Sequence, residues 1–169
     1  TIPLPETSEI TIEAFDGNGM VANEVADLHL AIRFQQRKDG ENKFRTDIYE
    51  SQRDLRGMQR YYVEPGGNFF IARDTQAANI AGFIGLKRTS SEEGQIKRMS
   101  VMPDYRRQGI GTRLAETAVA WARDVGMKKL NLTTGVDENA RYIYEAVGFV
   151  WVADIPEHED IAMELDLVA

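Results

Sequence analysis

The stretch Met99-Ser100-Val101-Met102-Pro103-Asp104-Tyr105-Arg106-Arg107-Gln108-Gly109-Ile110-Gly111-Thr112 decides how this chain is read. Its apolar start reads as a strand. The strand stops at Pro103, which has no N–H to give to a ladder. From Gly109 the apolar period becomes helical: Ile110, Leu114, Ala118, Trp121, Ala122 and Val125 share one face, and Gly126 is the C-terminal stop. The first N–H groups of such a helix have no intrahelical partner and carry partial positive charge, which suits a pyrophosphate. Gly109 and Gly111 present no Cβ to an approaching ligand. Arg106 and Arg107 add formal positive charge at the same place.

Other glycine loops fit less well. A dinucleotide fingerprint needs a third glycine, but Leu114 stands three residues after Gly111. A Walker loop needs Gly-Lys-Ser/Thr, which does not occur. From the loop alone, a tight strand-to-helix turn without a ligand stays open.

Outward from the loop, Gln95 to Met102, the helix, and a strand over Lys129 to Thr133 make a β-α-β crossover, so the two strands should be parallel. Upstream, Glu9 to Phe15 alternates polar and apolar as a half-buried strand. Asp16-Gly17-Asn18-Gly19 is a turn. Val21, Val25, Leu28 and Ile32 then predict a helix. After Gly40 a weaker helix is expected from about Asp47 to Tyr61, with Ile48, Leu55, Met58 and Tyr62 as its apolar stripe; Pro65-Gly66-Gly67 ends it. Asn68 to Ala72 and Ile80 to Leu86 read as strands, antiparallel to each other and to the next. Downstream, Glu138 to Val147 predicts a short helix ending at Gly148, and Phe149 to Val152 and Ile161 to Leu167 are the last strands. The fold class is α/β (α+β): a mixed, largely antiparallel sheet of about seven strands with a central parallel pair, flanked by about four helices.

A length of 169 residues favours one domain over 1–169, with a motif-bearing core at 95–152. With 43% apolar and 28% charged residues the chain is a globular type. Lys+Arg is 20 and Asp+Glu is 27, so the net charge is -7. That balance repels a nucleic-acid backbone and favours a cationic partner. With no cysteine and 2 His, thiolate and His-rich metal sites are not expected. No apolar window approaches the length of a membrane span. The polar, proline-punctuated start, Thr1 to Glu9, has no leader character, and a cytoplasmic enzyme is expected.

Arg106-x-x-Gly109-x-Gly111, after a strand ending Val101-Met102-Pro103, resembles the acetyl-CoA loop of the GNAT N-acetyltransferase superfamily, Gln/Arg-x-x-Gly-x-Gly/Ala. Downstream, Asn139-Ala140-Arg141-Tyr142-Ile143-Tyr144-Glu145-Ala146-Val147-Gly148-Phe149 is similar to the family's Asn…Ala…Tyr-Glu-x-x-Gly-Phe signature. The resemblance is close from Gln95 to Val152, and the order of elements fits from Ile10 to Leu167.

The resemblance implies transfer of acetyl from acetyl-CoA directly to a primary amine, with no metal. The chain has no cysteine for an acetyl-thiol intermediate. The strand before the loop would splay from its parallel neighbour, leaving Met99, Ser100 and Val101 as an edge for the pantetheine arm, with the Val101 N–H holding the oxyanion. Arg106, Arg107, Gln108, Gly109, Ile110, Gly111 and Thr112 would cradle the pyrophosphate. Tyr144 would protonate the leaving thiolate; Tyr142 points elsewhere at a spacing of two on a helix. Family members often place an Asn seven residues before that Tyr. Here Asp137 holds that place and Asn139 lies five before, so either is a candidate contact, or a cap.

The base is open. Gln95 stands where some members have a Glu, and Glu64, Glu92 and Glu93 are candidates acting through water. Glu157-His158-Glu159-Asp160 is a hairpin cluster that can guide a cationic acceptor. His29 reads as a surface residue. Residues 1–67 would shape the acceptor pocket. Monomer and homodimer both fit. An acyl-CoA-binding sensor without catalysis, or a nucleotide-binding regulatory domain, is the competing function.

Overall fold

The computed structural model describes residues 9–36, 52–135 and 139–168. Ile48 and Asp137 lie outside them. β1 spans Ile10–Ala14. The turn after it works through short side chains: Asp16 Oδ1 accepts the Asn18 N–H at 2.9 Å, and Asn18 Oδ1 accepts the Met20 N–H at 2.9 Å. Asn18 thereby satisfies an otherwise orphan donor at the start of α1, Gly19–Gln36.

Along α1 the buried stripe is Ala22, Val25, Ala26 and His29, flanked by half-buried Val21, Leu28 and Ile32. The stripe centre is rotated from the one that large apolar residues predict. His29 is thus not a surface residue: it is 5% exposed. The two alanines beside it carry too little apolar weight to mark that face.

Of the second expected helix, residues 47–51 lie outside the described residues, and the described part is broken. α2 is one turn, Arg53–Arg56, followed by a π-type turn at Gln59–Val63. Gly57 separates them; its N–H closes on Arg53 O at 2.9 Å. Leu55, Met58 and Tyr62 are all buried, as the stripe predicts. Gly67 then lets the chain press onto the sheet: a Cβ there would lie 2.1 Å from Leu86 O.

The strands are β2 Asn68–Asp74, β3 Asn79–Arg88, β4 Glu93–Val101, β5 Lys129–Gly135, β6 Val150–Ile155 and β7 Asp160–Asp166. α3 is Ile110–Asp124 and α4 is Ala140–Ala146. The seven strands form one sheet in the order β1-β2-β3-β4-β5-β7-β6. β4 and β5 are its parallel pair, as the crossover requires; the other neighbours are antiparallel. Fold class, element order and the four α-helices among the described residues match the expectation.

Each face of the sheet has its own packing. On one, Tyr62 meets Phe69 edge-on at 5.1 Å, Phe69 stacks on Phe83 at 6.0 Å, and Phe83 meets His29 at 6.3 Å. On the other, α3 buries Ile110, Leu114, Ala118 and Ala122. Each of the larger side chains contributes roughly 1.5–3 kcal/mol by leaving water. Gly82 admits α3 closely: its Cβ would sit 3.1 Å from Leu114 Cδ1.

Two irregularities in β4 open the sheet at its centre. The strand pairs with β5 only through Glu93, Gln95 and the glycine between them. Against β3, Phe83 faces Ser100 while Gly85 faces Lys97, so Ile84 opposes two residues, Arg98 and Met99. Arg98 takes the strain, with φ 60°. This is a β-bulge, which bends the strand. No described helix is long and apolar enough to cross a membrane.

Candidate active site

Past Gln95 the parallel strands part. The bulge turns the rest of β4 away, and a cavity of about 560 Å³ occupies the gap. Its walls are α1 (His29, Ile32, Arg33), β4 from Gln95 to Ser100, the end of β5 (Thr133 to Gly135), Ala140 and Tyr144 of α4, and Asp160 of β7.

Met99 and Ser100 thus lie on the cavity wall. Val101 is one residue further. Met102 N–H donates to Ala81 O at 2.8 Å, on the β3 side. Backbone groups alternate sides along a strand. The Val101 N–H and C=O therefore face away from β3, toward the gap. The Val101 carbonyl accepts the Arg106 Nε–H at 3.1 Å, which ties the loop to the strand end.

The loop is pinned at its start and open in its middle. Pro103–Tyr105 is a 3-10 turn, and the Tyr105 hydroxyl donates to Asp74 Oδ2 at 2.7 Å. Arg106 to Gly109 are exposed. Arg107 and Gly109 have φ of 64° and 78°, left-handed conformations that fold the segment into a short concave run before α3. A Cβ on Gly109 would meet nothing within 4 Å, so that side is clear.

Gly111 differs. Its Cβ would lie 2.7 Å from Ile143 Cδ1. Its smallness serves the packing of α3 against α4. Ile110 is in the core, so only its backbone is available to a ligand; Thr112 is half-buried.

Of the two tyrosines on α4, Tyr144 faces the cavity and is 5% exposed, whereas Tyr142 is 59% exposed and outside it. Gly148, at φ 108°, ends the helix, and Phe149 N–H returns to Tyr144 O at 3.0 Å. Phe149 then holds the Tyr144 ring edge-on at 5.7 Å. Asn139 precedes α4, is exposed and does not line the cavity; its carbonyl accepts the Tyr142 N–H at 3.1 Å.

The candidate bases do not converge here. Glu64, Glu92 and Glu93 are exposed and off the cavity wall, and Glu92 pairs with Lys128 at 2.7 Å. Of the hairpin cluster, Asp160 reaches the cavity.

Several lining residues went unmarked in the sequence. His29 Nδ1 lies 2.8 Å from Gln52 Nε2, which donates to it in this orientation. Its pKa falls to about 4, chiefly through burial and then through Arg98 and Arg33, so the ring is neutral near pH 7. Arg98 donates to buried Asp54 twice, from Nε to Oδ2 at 3.1 Å and from Nη2 to Oδ1 at 2.9 Å. Tyr62 donates its hydroxyl to the same carboxylate at 2.5 Å. Among the described residues the walls carry Arg33, Lys97 and Arg98 against Asp160. Among these described lining residues the charge runs opposite to that of the chain.

The chain matches the model of the acetyltransferase (GNAT) family over residues 31–149. It is 37% identical over 91 residues to a probable N-acetyltransferase, camello, of Xenopus laevis, covering 53% of this chain and 41% of that protein. It spans about half the length, or less, of such curated relatives. In fold it is similar to an acetyltransferase of the GNAT family from Staphylococcus aureus Mu50, with TM-score 0.77 and 24% identity over 95% of this chain and 100% of that one. An aminoglycoside 6'-N-acetyltransferase complexed with coenzyme A superposes with TM-score 0.73 at 19% identity, covering 94% and 98%.

Proposed function

The chain belongs to the acetyltransferase (GNAT) family, and from that premise we propose that it moves the acetyl group of acetyl-CoA directly onto a primary amine. The observation that carries this is the parting of β4 from β5 after Gln95, with Tyr144 on the wall of the gap so formed.

In this reading the pantetheine arm lies along Met99, Ser100 and Val101 and takes the place of the missing parallel strand. Arg106 to Thr112 take the pyrophosphate on backbone N–H groups at the head of α3, with Arg106 already fixed to Val101 O. Ile110 and Gly111 serve through their backbone alone. Asn139, at the head of α4 and off the cavity wall, is kept as a candidate contact for the arm on the resemblance alone.

The amine nitrogen attacks the thioester carbon, and the carbonyl oxygen becomes an oxyanion held by the Val101 N–H. The C–S bond breaks as the Tyr144 hydroxyl gives its proton to the sulfur. The amine's own proton leaves through water, and Tyr144 is reprotonated from the same source. Amide and free CoA are the products, and no enzyme-bound acetyl forms.

The test is acetyl-CoA turnover over an amine panel, read by free thiol, beside calorimetry with acetyl-CoA, CoA and NAD. Thiol release with one or more amines is the expected result. Binding of NAD without CoA overturns the assignment, and CoA binding with no acceptor acetylated favours an acyl-CoA sensor.

A further inference from the structure

We propose that the amine acceptor carries an anionic group, a carboxylate, that docks on the wall made by Arg33, Lys97 and Arg98. This rests on reading the chain as an acetyl-CoA-dependent amine acetyltransferase.

In a regular strand, neighbouring side chains point to opposite faces. The bulge in β4 removes that alternation at one place. Lys97 lies 6.0 Å over the ring of Tyr61, and Arg98, the left-handed residue, reaches Asp54 on α2. Two consecutive cations thus serve one side of the sheet, the side on which α1 supplies Arg33, and all three line the cavity.

Asp54 does not line it. It grips Arg98 from behind, at 2.9 and 3.1 Å, and fixes the guanidinium as a rigid fork. At His29, on the same wall, the positive charges of Arg98 and Arg33 outweigh the negative charge of Asp54. His29, held at 2.8 Å from the Gln52 side-chain amide, adds a neutral polar ring to this wall.

Asp160, at the start of β7, also lines the cavity, and its carboxylate favours an ammonium. Three cations and one carboxylate among the described lining residues fit an amino-carboxylate better than a polycation. The cavity, at about 560 Å³, is shared with the pantetheine arm in this reading, so the acceptor is a small molecule. Guanidinium groups grip carboxylates and phosphates alike, so the anion's identity is itself part of the test.

The test measures kcat/KM for each of the common amino acids beside its amide, together with phosphoethanolamine and spermidine. At least one free amino acid should exceed its amide by roughly tenfold, the usual scale of one charge-assisted contact. Arg33→Gln and Lys97→Gln should each lower kcat/KM for the acid about tenfold more than for its amide.

Spermidine or the amides matching the acids, with CoA binding intact, overturns this proposal and leaves the acetyltransferase reading standing. Phosphoethanolamine ahead of every amino acid overturns the carboxylate and keeps the anion. Failure of CoA to bind removes both readings. If CoA binds and no amine reacts, calorimetry of N-acetyl amino acids against their amides with CoA present decides: roughly tenfold tighter acids support the proposal, and equal affinities overturn it.

Discussion

Arg98 and Asp54, 44 residues apart, are locked by two hydrogen bonds at the point where β4 bulges away from regular pairing. The carboxylate is 9% exposed and the guanidinium 21%. Arg98 is thereby held in a left-handed conformation that bends β4 toward its separation from β5. Removing one member of such a buried pair leaves the other charge uncompensated, at about 3–5 kcal/mol. Because Arg98 borders the cavity and can rehydrate there, Asp54→Asn is expected to cost about 3 kcal/mol, the low end of that range. Tyr62→Phe should cost less, about 1–2 kcal/mol, since Arg98 still satisfies the carboxylate. Denaturant midpoints for the two variants check this; equal, sub-kilocalorie losses would mean the pair does not hold the bulge.

Acid should destabilise the fold through His29. The pKa of His29 is about 4 in the folded chain, against 6.5 ordinarily, through burial first and then Arg98 and Arg33; Gln52 and Asp54 act the other way. The unfolded chain therefore takes up this proton at a higher pH than the folded one. The stabilisation is whole above pH ~6.5 and is lost as pH falls toward 4. Between pH 7 and 4.5 the loss is roughly 2.5 kcal/mol. Asp74 is lowered by its bond from Tyr105, and its contribution also goes as pH falls, in the carboxylate range. That part is common to wild type and His29→Gln. The variant should be less stable at pH 7 yet flatter between pH 7 and 4.5. Parallel stability curves for the two proteins would contradict a neutral, buried His29.

Much of this architecture is legible in the sequence, because strong periodicity and a strand-loop-helix motif agree on it. The element order, the parallel pair and the choice of Tyr144 over Tyr142 follow from the signature around Gly109 and Gly148. The cation-bearing wall of the cavity does not. Nothing in Lys97-Arg98 announces a bulge, since arginine is not a residue that marks a left-handed position and its partner Asp54 lies 44 residues away. His29 hides among Ala22 and Ala26, which build a buried face with little apolar weight. The second helix breaks at Gly57, where propensity is weak and packing of Met58 and Tyr62 prevails.

Tyr144→Phe tests the acid role directly. If the phenol protonates the departing thiolate, loss of the hydroxyl should lower kcat by roughly 10²-fold or more, with acetyl-CoA affinity little changed. The ring stays, so its contact with Phe149 is kept. Tyr142→Phe, on the exposed side of the helix, should behave as wild type. Single-turnover thiol release across pH is the measurement. Turnover of Tyr144→Phe equal to wild type at every pH would remove Tyr144 from the chemistry.

The two glycines of the loop should fail for different reasons. Gly109 sits at φ 78° beside open space, so Gly109→Val strains the backbone and puts its branch where a ligand would approach. It should weaken acetyl-CoA binding more than tenfold while the fold loses about 1–2 kcal/mol, the left-handed penalty. Gly111 sits under Ile143, with 2.7 Å between an added Cβ and Ile143 Cδ1. Gly111→Ala should therefore cost about 1–3 kcal/mol of stability by overpacking α3 against α4. Shortening the opposing chain relieves that crowding: Ile143→Val should restore part of the stability of Gly111→Ala, although alone it removes a methyl from the same contact. A double-mutant cycle by denaturation reads the coupling. Additive losses would place the Gly111 constraint on the ligand side of the loop, away from α4.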